Sequence, residues 1–140
     1  MRVLDRLRPL ALLTLRLVLG IILLAHGYPK VFGGLHQHMA MVGNLGLPSW
    51  LGLFSTGTEF IGGILLIVGL FTRYVGMAFT FEMLVAIYKV HWANGFFLNM
   101  SCVAGRGHGI EYAIALLGMA LYLVIAGGGQ WCLDRLIFRR

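Results

Sequence analysis

The sequence predicts an all-α membrane protein, a four-transmembrane-helix antiparallel bundle with its N-terminus and C-terminus both cytoplasmic. Three observations predict it. Hydrophobic residues make up 59% of the 140 and charged residues only 11%, whereas soluble domains carry about 25% charged residues. Four apolar runs, at about 10–28, 50–71, 74–92 and 110–126, each approach the roughly 20 residues that a helix needs to cross a bilayer core. Lysine and arginine are distributed unevenly around those runs. With the N-terminus inside, Arg2, Arg6, Arg8, Arg73, Arg135, Arg139 and Arg140 lie on the inner side, and Lys30, Lys89 and Arg106 on the outer. That bias is the usual cytoplasmic enrichment of positive charge. Residues 1–140 then form one membrane domain, with no length left for a soluble one.

Each span has its own start and stop signals. Pro9 sits where a first helical turn tolerates it, and Pro29 ends the first run. His26-Gly27-Tyr28-Pro29-Lys30 follows that run in place of a small-residue cleavage site, so the run is expected to remain as a span. Residues 30–49, rich in glycine with Pro48, predict a loop holding a short interfacial helix around His36–Val42. Trp50 anchors the second run at the interface. Thr72-Arg73 is so short a turn that the second and third runs must be antiparallel neighbours. A longer connection, 93–109, precedes the fourth run, which Gly127-Gly128-Gly129 closes.

Charges inside these runs mark candidate sites. Glu59 lies mid-run, where insertion costs about 2.5–3.5 kcal/mol. Gly62 and Gly63 share its helical face, so the carboxylate is expected to enter a tight helix–helix seam. His26, Lys30, Lys89, His91 and Glu111 fall near the outer ends of the runs and complete an outer-half polar cluster with Glu59. Interhelical polar contacts contribute only about 0.6 kcal/mol on average, less than the cost of the buried charge. This mismatch favours a pocket for a small molecule or quinone headgroup, where histidine and carboxylate exchange protons. A network that only fixes helix register is the alternative. At depths of about 9 and 13 Å from the inner side by helical rise, Arg16 and Glu82 are expected to form an inner ion pair; otherwise Arg16 snorkels to the headgroups.

Several classes of function find no support. The net charge of +6 sits mainly at the termini, without the aromatic-interleaved surface of a nucleic-acid binder. Cys102 and Cys132 fall on opposite sides of the predicted membrane, and no metal-ligand spacing occurs. His36 and His38 are expected to be a solvated pair, since two histidines seldom fill a metal's shell.

The order of these features resembles the DoxX family of small four-helix membrane proteins. The matching residues are Arg16 through Gly20 with His26-Gly27 and Lys30; Glu59 with Gly62-Gly63 and Gly69-Leu70; and Thr72-Arg73. Val90-His91 with Gly95-Phe96-Phe97, then Glu111-Tyr112-Ala113 with Leu116-Leu117 and the closing glycines, complete the match from about Arg16 to Leu133. The family takes its name from a quinone-linked sulfur oxidoreductase of the respiratory chain. The resemblance implies an integral subunit of a bacterial or archaeal cytoplasmic (inner) membrane that anchors or assists an oxidoreductase complex and is not itself the catalyst. It implies a quinone contact at the outer cluster, no covalently bound cofactor, and partners among lipid, other membrane or redox subunits, and further copies of the chain. A small solute or proton-coupled transporter and a purely structural accessory subunit are the alternatives.

Overall fold

Four long helices pack around one apolar core in a computed structural model that describes residues 7–138. Arg2, Arg6, Arg139 and Arg140, which enter the charge bias, lie outside the described residues. The described residues contain no strand. Helix α1 runs Arg8–Pro29, α2 Leu35–Asn44, α3 Trp50–Val68, α4 Thr72–Ala86, α5 Glu111–Ala126, and a last short helix, α6, Leu133–Phe138.

Pro29 does not stop the first helix cleanly. The chain kinks over Lys30–Gly34, where Phe32 and Gly33 leave helical geometry and Gly33 takes φ 147°, a conformation that a Cβ would oppose. It then re-enters helix as α2, which contains the short helix expected around His36–Val42. A π-turn, Ile87–His91, extends α4 and passes into a 3₁₀ turn at Trp92–Asn94. Such wide turns are rare and gather at functional sites, and this one borders the cavity described below.

Leu19, Leu23, Leu66, Phe79, Met83, Leu116, Ala120 and Leu123, drawn from α1, α3, α4 and α5, are buried together. Helices α1 and α3 run antiparallel in the closest seam. A Cβ on Gly27 would lie 2.5 Å from the backbone nitrogen of Phe60, and one on Gly63 would lie 2.7 Å from that of Leu24. Gly62, one residue away, faces Val75 of α4 instead. The glycine pair thus serves two neighbouring helices. The outward faces are apolar, with Ile21, Ile61, Leu84 and Ile125 all exposed. Two helical stretches have the length and composition to cross a membrane, Arg8–Asn44 taken across its bend and Trp50–Val68; α5 is apolar but shorter.

At the end of the bundle where α3 meets α4, the C-terminal segment folds back. Asp134 accepts from the backbone N–H of Phe71 at 2.6 Å and of Thr72 at 2.9 Å, capping α4. Buried Arg16 donates to the carbonyls of Gly128 and Trp131, both at 2.7 Å.

The expected Arg16–Glu82 ion pair is therefore not formed. Arg16 lies against Gly69 at the end of α3, whereas Glu82 binds Ser55, fourteen residues back along that helix. At 1.5 Å per residue that is about 20 Å of separation along the axis. The depths inferred from sequence assumed inner ends at one level, and α1 and α4 do not start level.

Candidate functional site

A cavity of about 570 Å³ opens between α1, α2, α3, α4 and α5. Its walls are mainly apolar, with Leu23, Leu51, Phe54, Phe79 and Leu116 among them. The polar groups converge from separate elements. Glu59 stands nine residues from either end of α3 and is 7% exposed. Gly27 admits α1 against that same turn of α3, and the kink that follows α1 starts at Lys30, whose Nζ lies 2.5 Å from Glu59 Oε2. Helical periodicity puts Ser55 one turn before Glu59 on the same face. Ser55 Oγ donates to Glu82 Oε1 of α4 at 2.6 Å and lies 3.3 Å from Nε2 of His38 on α2.

Electrostatically the centre is unbalanced. Glu59 and Lys30 are the charges acting on Glu82. Two carboxyl groups therefore face one ammonium, and Glu59 engages that ammonium directly. Glu82 Oε2 is buried without a hydrogen bond among the described residues. An apolar chamber with a few convergent polar groups is the usual form of a small-molecule site.

Five of the six residues expected in the outer cluster, His26, Lys30, Glu59, Lys89 and His91, line this one cavity. Their engagement differs. His26 uses Nδ1 within its own turn, on the Ile22 carbonyl at 2.9 Å. His91 Nδ1 meets the His108 carbonyl at 2.8 Å, tying the 95–110 connection to α4. Lys89 is exposed, 5.9 Å from the Tyr88 ring. Glu111 does not join the cluster: it begins α5 and accepts from the Leu98 N–H at 3.2 Å, bracing the connection from outside. Glu82, expected elsewhere, belongs here, as do Ser55, His38 and His108. Ser55 could have been found from its position four residues before Glu59. His38, on the short helix expected around His36–Val42, was hidden by being read with His36 as a solvated pair. No group of three or more histidine, cysteine or acidic residues among the described residues has the geometry to hold a metal ion.

The family model for DoxX matches residues 11–92, a stretch that contains Lys30, His38, Ser55, Glu59 and Glu82. The chain belongs to the DoxX family. It is 32% identical over 127 residues to the Bacillus subtilis protein named "Putative oxidoreductase CatD", covering 91% of this chain and 87% of that one. It is 29% identical over 131 residues to the Escherichia coli inner membrane protein YphA, covering 91% of each. An uncharacterized membrane protein of Mycobacterium tuberculosis is 24% identical over 137 residues, covering 94% of this chain and 84% of that one. No solved structure matches. This DoxX chain is a membrane protein, and its exposed apolar faces suit a lipid surround.

Proposed function

We propose that this DoxX-family chain is an integral subunit of a bacterial or archaeal cytoplasmic membrane that anchors or assists a quinone-linked oxidoreductase. Its cavity holds the quinone headgroup. All four long helices cross the membrane and both termini are cytoplasmic. Helix α4 with its two extensions, Thr72 to Asn94, is long enough to do so. Helix α5, at sixteen residues, spans about 24 Å and is accommodated by local thinning of the bilayer.

The observation that carries this reading is an ion pair between mid-helix Glu59 and Lys30 that opens onto a mainly apolar chamber. A quinone ring offers two acceptor oxygens and a flat apolar face, and the cavity supplies the complement. The Lys30 ammonium has donors beyond the one it gives Glu59, and the leucine and phenylalanine walls cover the ring. The name of the Bacillus subtilis relative supports a redox context. The chain's apolar outer faces are then the surfaces that meet the oxidoreductase subunit or further copies of itself.

Extraction of the protein, purified in mild detergent, should release an isoprenoid quinone. Added decylubiquinone should bind saturably, and Glu59→Gln should weaken that binding at least tenfold. Absence of extractable quinone together with non-saturable uptake would overturn the reading. Proton-coupled solute transport is the second reading, favoured by the two carboxyl groups sharing one ammonium; solute accumulation driven by a pH gradient in proteoliposomes would establish it.

A further inference from the structure

We propose that His38, Ser55 and Glu82 form a proton relay serving the occupant of the cavity. The three residues come from three helices, α2, α3 and α4, and make one connected chain. Ser55 Oγ donates its single proton to Glu82 Oε1 at 2.6 Å. Only lone pairs then remain on that oxygen for His38 Nε2 at 3.3 Å, so the imidazole is the donor. Ser55 has an ordinary alternative that it does not take. Its neighbour Thr56 returns its hydroxyl to the Gly52 carbonyl of its own helix at 2.8 Å, the usual habit of such side chains. Ser55 instead bridges two other helices.

The transfer balances within the chain. A His38 imidazolium passes its Nε2 proton to Ser55 Oγ while the Ser55 proton passes to Glu82 Oε1. Imidazolium and carboxylate become imidazole and carboxylic acid, and Ser55 regains its hydroxyl. The reverse step returns the proton to His38. The two ends are suited to this: His38 is half-exposed and lines the cavity, and Glu82 lines it with a buried Oε2 that has no hydrogen-bond partner among the described residues. Lys30 and Glu59 act on Glu82, while His26, Lys89, His91 and His108 line the same cavity. His26 and His91 hold backbone carbonyls through Nδ1, leaving His38 as the imidazole joined to the serine. The use of the relay rests on the quinone reading. A quinone becoming a quinol takes up two protons with two electrons, the electrons coming from the redox centre of the oxidoreductase partner.

The relay can be tested without any quinone. In quinone-depleted protein in nanodiscs, rapid infrared spectroscopy after a pH jump follows carboxylic-acid C=O bands, and Glu82→Gln identifies the band of Glu82. His38→Ala and Ser55→Ala should each slow its response at least tenfold, while Ser55→Thr stays near the wild-type rate. Imidazole in the buffer should restore the rate of His38→Ala but not of Ser55→Ala. His38→Gln, closer in volume, serves should the alanine variant fail to fold, and should be slowed equally. Wild-type rates in the His38 and Ser55 variants, absence of imidazole rescue, or absence of a Glu82 band would overturn the relay. Failure of the quinone reading would show separately, as lost decylubiquinone binding with the infrared kinetics intact.

Discussion

At the level of single residues, the protein places its buried charges in two chemically different settings. Lys30, just past the end of α1, and Glu59, in the middle of α3, neutralise one another, with side chains 22% and 9% exposed. Removing one partner of a buried pair strands the other charge and costs about 3–5 kcal/mol. Lys30→Met is therefore expected to lower the thermal unfolding midpoint in detergent sharply, and Lys30→Met combined with Glu59→Leu to recover most of the loss. Equal losses in single and double variants would show that the two charges are not coupled. Arg16 is held by carbonyls: its guanidinium donates to those of Gly128 and Trp131, just beyond the end of α5, with the Asp134 carboxylate in the same neighbourhood. Cations favour the carbonyl-rich ends of helices. Arg16→Met should thus free the segment from Gly127 onward, read as faster amide hydrogen exchange at 127–138 and as earlier proteolysis there. Unchanged exchange in that segment would refute the role given to Arg16.

Between elements, the α1–α3 seam sets where the charges can meet. Because the helices run antiparallel, Gly27 packs beside Glu59 and Phe60 and Gly63 beside Leu24 a turn further on, so the two glycines close the seam on one side of the ion pair. Adding side-chain volume to a closed seam costs typically about 1–3 kcal/mol. At Gly27 the added atoms would meet backbone, which cannot swing aside. Gly27→Leu should therefore separate α1 from α3 and weaken decylubiquinone binding in a protein that still inserts. Gly57→Leu, on the same helix as Glu59 but with open space around its Cβ, should leave binding unchanged. Equal effects of the two would mean that the seam does not position the site. Much of this was legible in the sequence. A carboxylate centred in an apolar run with glycines three and four residues on can only enter a close helix contact at tolerable cost. The bends were not legible: the π-turn at Ile87–His91 leaves no periodic signature, and Pro29 suggested a stop where the chain kinks at Gly33 and continues.

For the whole molecule, the sequence revealed which residues have no business in hydrocarbon but not which of them meet. Five cluster residues share one cavity, yet Glu82 was assigned to Arg16 and His38 to solvent. Depth along one helix says nothing about the stagger between helices, and only the packed structure supplies that. The same stagger governs the number of membrane crossings. Two stretches meet the length and hydropathy of a span outright, and α4 and α5 carry the proposed remainder. A crossing by α4 would separate Arg73 and Cys102 onto opposite sides of the bilayer; without one, both lie on the same side. Both positions are exposed, and Cys132 is buried, so the test is direct. In a Cys132→Ser background, a membrane-impermeant maleimide should label Cys102 in intact cells. An Arg73→Cys variant that also lacks Cys102 should label only after the membrane is opened. Labelling of both from outside would remove the third crossing and, with it, the four-span bundle that encloses the cavity within the bilayer.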